Sequence, residues 1–315
     1  MERLVELPPR AWVLNLDAEH ELEAPRGYQP TDKLRAIVAT QSRRLLGSLV
    51  RPGDIVLDEG DLSSGARRAQ GLRGTAWLPT PSALRILAAA GAVGCESPGL
   101  EVLQRVNRRD FGARMRDEFR EDAFEKHIVH DLDSALSILS RPAPLGWLAR
   151  RAFGAAGRGR RKLRAGRPDE AEHAWLVASL RLGPMVVEPW QELAREHTRS
   201  GWVRSDGGVV VSAPCFQRVG KDGAWIDTLR AEAGELSSEL DNRLAHALER
   251  VGRALAAEGY RGPYGIDAWT YKAGGREVLN PLSEINARFT MDWATAMVHD
   301  PRAGAARRLF DELAR

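Results

Sequence analysis

Cysteine is nearly absent from this chain. Its two residues, Cys95 and Cys215, stand far apart and neither belongs to a metal-ligand spacing. That excludes a disulfide scaffold and a cysteine zinc site, and it fits a reducing, cytoplasmic setting. Lysine is scarce too: only five of the 46 cationic residues are Lys, and the formal net charge is just +3. So mild a bias, carried by arginine, is a poor argument for a nucleic-acid partner. No apolar run approaches the roughly 20 residues needed to cross a membrane. The opening MERLVELPPRAWVLNL mixes acids with bases and has no small-residue cleavage site, which argues against a signal peptide. Internal repeats and low-complexity tracts are missing. So are a P-loop, a G-x-S-x-G elbow, a Cys–His–acid set and a histidine pair with a third metal ligand.

What remains is ordinary for a soluble globular protein: 315 residues, 43% apolar and 28% charged, enough for a large core divided into two or three lobes. The first hundred residues alternate short apolar strands with helical spacing. Strands are expected at 11–16, 54–58 and 76–78, with helices over 31–49 and 82–90, which implies an open α/β lobe with a parallel sheet. Farther on, 131–139, 171–182 and 236–258 read as helices. The last carries Leu240, Leu244, Leu248, Val251 and Leu255 on one stripe. A hairpin is marked by Ser205-Asp206-Gly207-Gly208, and a C-terminal helix is expected over 303–313.

Three segments carry chemistry. The stretch 262–291, GPYGIDAWTYKAGGREVLNPLSEINARFTM, reads as two strands around a Gly-Gly turn. Asp267 lies on the first strand, and Glu284, Asn286 and Arg288 follow on the second at alternate positions, so that they share a face. Two carboxylates and a carboxamide are hard oxygen ligands suited to Mg²⁺, which completes its shell with substrate phosphates and water. The neighbouring guanidinium suits a phosphate oxygen. The segment 146–164, GWLARRAFGAAGRGRRKLR, reads as a strand, a glycine-rich loop and a basic strand. There Gly154, Gly157 and Gly159 let the backbone approach a phosphate. Its arginines have no interleaved aromatics to stack bases, so nucleic acid is not the expected partner. The third segment is the apolar strand 185–190, MVVEPW, ending in Glu-Pro-aromatic.

Together these segments resemble the ATP-grasp superfamily, in the family's order from Asn107 to Arg288. The resemblance implies an α/β (α+β) fold of three lobes: an open α/β pre-ATP-grasp lobe (1–98), a small central lid with the glycine-rich loop (99–184), and a C-terminal antiparallel-sheet lobe binding ATP and metal (185–315). It implies that Asp267, Glu284 and Asn286 hold one or two Mg²⁺ ions, with Mn²⁺ as an alternative, and that Arg288 steadies an acyl-phosphate. Where the family places phosphate-binding lysines, this chain has Arg108 or Arg109 after Asn107, and Arg151 (with Arg150 beside it) before the glycine loop. The backbone from Glu188 to Trp190 would meet adenine, and Glu196 or Glu192 the ribose. The implied activity is ADP-forming carboxylate–amine ligation on small-molecule or peptide substrates, with no nucleic acid or membrane partner and room for a homodimer. A kinase on the same fold and an inactive nucleotide-binding scaffold are the alternatives.

Overall fold

The computed structural model describes residues 8–119, 124–154, 158–220, 225–232 and 234–298. Gly157 and the helix expected over 303–313 lie outside them.

The first lobe opens with β1 (Arg10–Val13), α1 (Ala18–Glu23) and α2 (Asp32–Arg43), then β2 (Ile55–Leu57), α3 (Glu59–Ser64), β3 (Arg73–Ala76) and α4 (Pro81–Ala89). β1 runs parallel between β2 and β3, as the strand–helix alternation requires. Pro81 opens α4 at its first turn, where a missing N–H costs nothing. The expected 31–49 helix stops at Arg43, and Leu45 and Leu49 instead bury their side chains from the following turns.

α5 (Leu100–Val106) and α6 (Arg109–Phe119) lead into the central lobe. That lobe contains β4 (His127–Val129), α7 (Leu132–Leu139), β5 (Trp147–Arg150), β6 (Arg160–Leu163), α8 (Glu170–Leu180) and β7 (Met185–Pro189). Asp131 caps α7 and Asp169 caps α8, each accepting a backbone N–H from the third residue of its helix. The four strands form an antiparallel sheet in the order β4-β7-β5-β6. Trp147, Ala149, Leu163, Met185 and Val187 pack with Ala135, Leu139 and Leu176 of the two helices. By strand alternation, Leu148, Arg150 and Glu188 face the opposite way. The MVVEPW strand therefore belongs to the central sheet, and the sheets divide after Pro189 rather than before Met185.

The C-terminal lobe is β8 (Leu193–Val203), β9 (Val209–Val211), β10 (Cys215–Val219), β11 (Trp225–Arg230), α9 (Ser238–Ala257), β12 (Gly262–Ala273) and β13 (Arg276–Asn286). Its sheet runs β11-β10-β8-β12-β13, with β9 paired to β8. The expected leucine stripe of α9 packs on this sheet, and the Tyr264 hydroxyl donates to the Leu248 carbonyl. Approach is close enough that a Cβ on Gly252 would lie 2.3 Å from the Tyr264 oxygen. Trp12 of the first lobe meets Phe289 edge-to-face at 5.4 Å within one core that also holds Trp202 and Trp293. First and third lobes thus share a single interior. α6 packs on β13 as well as on β4 and β7, which brings the central sheet to the C-terminal hairpin.

Candidate active site

β12 and β13 pair antiparallel with Asp267 opposite Glu284 and Gly265 opposite Asn286. Between the pairs Asp267–Glu284 and Trp269–Asn280, the single residue Ala268 faces three, Pro281, Leu282 and Ser283. This bulge is where the proline is tolerated, because Pro281 has no N–H to give to the ladder. It presents Glu284 and turns two carbonyls toward the central sheet.

Asp267 sits in a polar nest. The Asn286 amide donates to its Oδ2 at 3.1 Å, and the Gln217 amide to its Oδ1 at 3.3 Å. The same Gln217 nitrogen donates to Asp292 Oδ2 at 2.7 Å, and the Thr228 hydroxyl donates to the other Asp292 oxygen. Burial, Glu284 and Asp292 push the Asp267 carboxyl up to about 8. Burial also raises Asp292, against its hydrogen bonds from Thr228 and Gln217.

Glu284 has cations instead. Arg109 Nη1 lies 2.5 Å and Arg150 Nη1 3.8 Å from its Oε2. Burial pushes its carboxyl up, but Arg109, Arg150 and Arg288 together outweigh that and hold it below the usual carboxylate range. Arg150 also pairs with Glu188, and Lys126 Nζ stands 3.6 Å from the other Glu188 oxygen. Lys126 donates to the bulge carbonyls of Leu282 at 3.3 Å and Ser283 at 2.9 Å. Burial and the neighbouring Arg150 and Arg116 lower the Lys126 ammonium well below its ordinary value, and burial and Arg109 lower Arg150 to about 10. Arg109, Lys126, Arg150 and Glu284 line one small cavity.

No protein-family model matches the chain, and no curated protein sequence matches it. Solved structures do. D-alanyl-alanine synthetase A from Vibrio cholerae superposes with a TM-score of 0.55 at 13% identity, over 98% of both chains. N5-carboxyaminoimidazole synthetase from Staphylococcus aureus, complexed with ADP, superposes at 0.50 with 11% identity over 90% of this chain and 71% of that one. Both have the ATP-grasp architecture. This chain has the ATP-grasp fold.

Within that fold the residues singled out in the sequence separate into two groups. Asp267, Glu284, Asn286, Arg109 and Glu188 converge. Arg108 turns aside to pair with Asp110 at 2.9 Å. Arg151 turns aside too: its Nε donates to Ser179 at 2.9 Å and its guanidinium lies 5.7 Å from the Trp175 ring, on the α8 side. Strand alternation decides between the neighbours, since Arg151 continues the row of Trp147 and Ala149 that faces the helices. Arg150 is the one aimed at Glu284.

Arg288 lies past the end of β13, in the turn after Asn286, and pairs with Glu19 of α1 beneath the Trp77 ring. The regular i, i+2, i+4 row therefore stops at Asn286. The charge of Arg288 still opposes the upward shift of Asp267 and helps to hold Glu284 low. The Trp190 N–H, expected to face a purine, donates to the Gly146 carbonyl at 2.8 Å, while Lys162 lies 4.8 Å over its ring. Glu196 stands opposite Trp269, raised by burial against Arg160, whereas Glu192 is exposed. Gly154 and Gly159 are explained first by their own hairpin. A Cβ on Gly154 would lie 2.4 Å from the Arg158 carbonyl, and Gly159 adopts φ +70°.

Sequence reasoning missed Lys126, Gln217, Asp292 and Glu19. Lys126 and Gln217 sit in segments with no motif, and Asp292 falls one residue beyond the hairpin pattern. Among the described residues no three His, Cys, Asp or Glu side chains form a metal cage. The donor set still fits a cation that draws part of its shell from phosphates. Two half-buried carboxylates face each other across a strand pair, and Asp267, unlike Glu284, has no cation in contact among the described residues.

Proposed function

We propose that the chain binds Mg²⁺·ATP between the central sheet and the β12–β13 hairpin, and uses it for ADP-forming carboxylate–amine ligation. The observation that carries the reading is the convergence of Asp267, Glu284 and Asn286 with Arg109 and Arg150 on an ATP-grasp fold. Acids on one side and guanidinium groups on the other suit a metal-bound triphosphate.

In this reading Asp267, Glu284 and Asn286 hold the metal, and bound Mg²⁺ supplies charge neutralisation across the phosphates. Arg109 and Arg150 turn from Glu284 toward phosphate oxygens, whose charge grows as the terminal phosphoryl group departs. A substrate carboxylate oxygen attacks that phosphorus, and ADP leaves. An amine then attacks the acyl carbon, phosphate leaves with the bonding pair, and the nitrogen gives up a proton to the departing phosphate to complete the amide. Arg288, held by Glu19, supplies positive charge to the acyl-phosphate and to the tetrahedral state. Gly154 and Gly159 let their own backbone approach the phosphates. Substrates are small-molecule or peptide acids and amines.

The test is calorimetric titration of the full chain with ATP, with Mg²⁺ and with EDTA. Binding that needs the metal and is lost in Glu284→Ala supports the assignment. Equal binding by the variant would remove Glu284 from the metal site.

A further inference from the structure

Lys126 is the most enclosed cation of the site, with its side chain only 4% exposed. Among the described residues it makes no hydrogen bond or ion pair with Glu284. Its ammonium is divided between the bulge carbonyls of Leu282 and Ser283 and the Glu188 carboxylate. Glu188, 1% exposed, therefore has two cations, one on each oxygen: Arg150 and Lys126. A single buried acid held twice, beside a guanidinium that also reaches toward Glu284, is a redundancy that packing alone does not require. Arg150 Nε makes no hydrogen bond among the described residues, so this guanidinium is not fully committed where it lies.

Any movement of Arg150 toward an incoming phosphate leaves Glu188 behind. Stripping a buried carboxylate of its only cation is among the costliest local events in a protein interior. With Lys126 fixed to the bulge, Glu188 keeps a counter-charge whatever Arg150 does. On the nucleotide-binding reading given above, we propose that Lys126 is a positioning residue for charge hand-over: it retains Glu188 while Arg150 passes from Glu188 to a nucleotide phosphate. Lys126 need not touch the nucleotide. It lowers the cost of the move that lets Arg150 do so.

The experiment is a double-mutant cycle on Mg²⁺·ATP affinity in the full chain, using Lys126→Met, Glu188→Gln and the pair. Lys126→Met should weaken binding at least about tenfold, because Arg150 becomes the sole partner of Glu188. Adding Glu188→Gln should restore affinity to near that of the unchanged protein, since no acid then retains Arg150. A lysine that merely props the bulge predicts no rescue, and losses that add would overturn the proposal. Should Lys126→Met fail to fold, Glu188→Gln alone decides: tighter nucleotide binding supports the hand-over, and unchanged or weaker binding refutes it. No Mg²⁺·ATP binding by the unchanged protein would overturn the nucleotide reading and this inference together, whereas binding without rescue would overturn the inference alone.

Discussion

Replacing Asp267 with asparagine should make the metal-free protein more stable at pH 8 while removing its response to Mg²⁺·ATP. Asp267 is pushed up to about 8 by burial and by Glu284 and Asp292, so in the folded chain it keeps a proton that the unfolded chain has already lost. The folded state binds more protons between about pH 4 and pH 8, so the stability this group contributes is complete at low pH and drains away as pH rises through that window. A carboxyl displaced that far carries a ceiling of roughly 5 kcal/mol at pH 8. The side chain keeps some exposure and two amide donors, so about 1–2 kcal/mol is the realistic gain on neutralising it. At roughly 2–4 °C per kcal/mol, thermal melts in EDTA should place Asp267→Asn about 2–8 °C above the parent at pH 8, with the gap closing toward pH 5. Adding Mg²⁺·ATP should raise the parent's midpoint and leave the variant's where it was. A variant that melts below the parent at pH 8 in EDTA would mean that Asp267 is not destabilising there, and one that still responds to Mg²⁺·ATP would remove Asp267 from the metal site.

The two adjacent arginines should behave differently. Arg150→Ala is expected to weaken nucleotide binding about tenfold or more, an effect read by calorimetry. Arg151→Ala should leave affinity within about threefold and cost roughly 1 kcal/mol of stability through its Ser179 and Trp175 contacts, visible in denaturant titration. Gly252→Ala should destabilise the C-terminal lobe by about 1–3 kcal/mol, because the added methyl meets the Tyr264 oxygen and Val209 across the α9–sheet interface. An unchanged melting point would mean that α9 sits farther from the sheet than described.

The order of elements was legible because period and punctuation agree: the α9 stripe, the Ser205–Gly208 turn and the Gly274-Gly275 hairpin each stand where the residues point. So was the Asp267–Glu284–Asn286 set, since strand alternation is rigid. Alternation also indicates which of Arg150 and Arg151 faces Glu284, once the Trp147–Ala149 row is taken as the helix-facing side. The long first part of β8, with β10 and β11, was not legible. Polar residues such as Arg195, Arg199 and Gln217 break any apolar alternation there, and their places are set by tertiary partners such as Asp241 and Asp292. Lys126 was hidden for a similar reason: only the folded bulge at Leu282–Ser283 gives its ammonium acceptors. Arg288 looked like the next member of the β13 row, but the strand ends two residues earlier and Glu19 takes its guanidinium.

Turnover is decided by product release from the full chain with Mg²⁺·ATP and pooled carboxylates and amines, each pool alone and both together. A carboxylate–amine ligase releases ADP and free phosphate in equal amounts, sustained only when acid and amine are both present and abolished by Glu284→Ala. ADP accompanied by a stable phosphoester rather than free phosphate, or no ADP from any combination, would contradict that reaction.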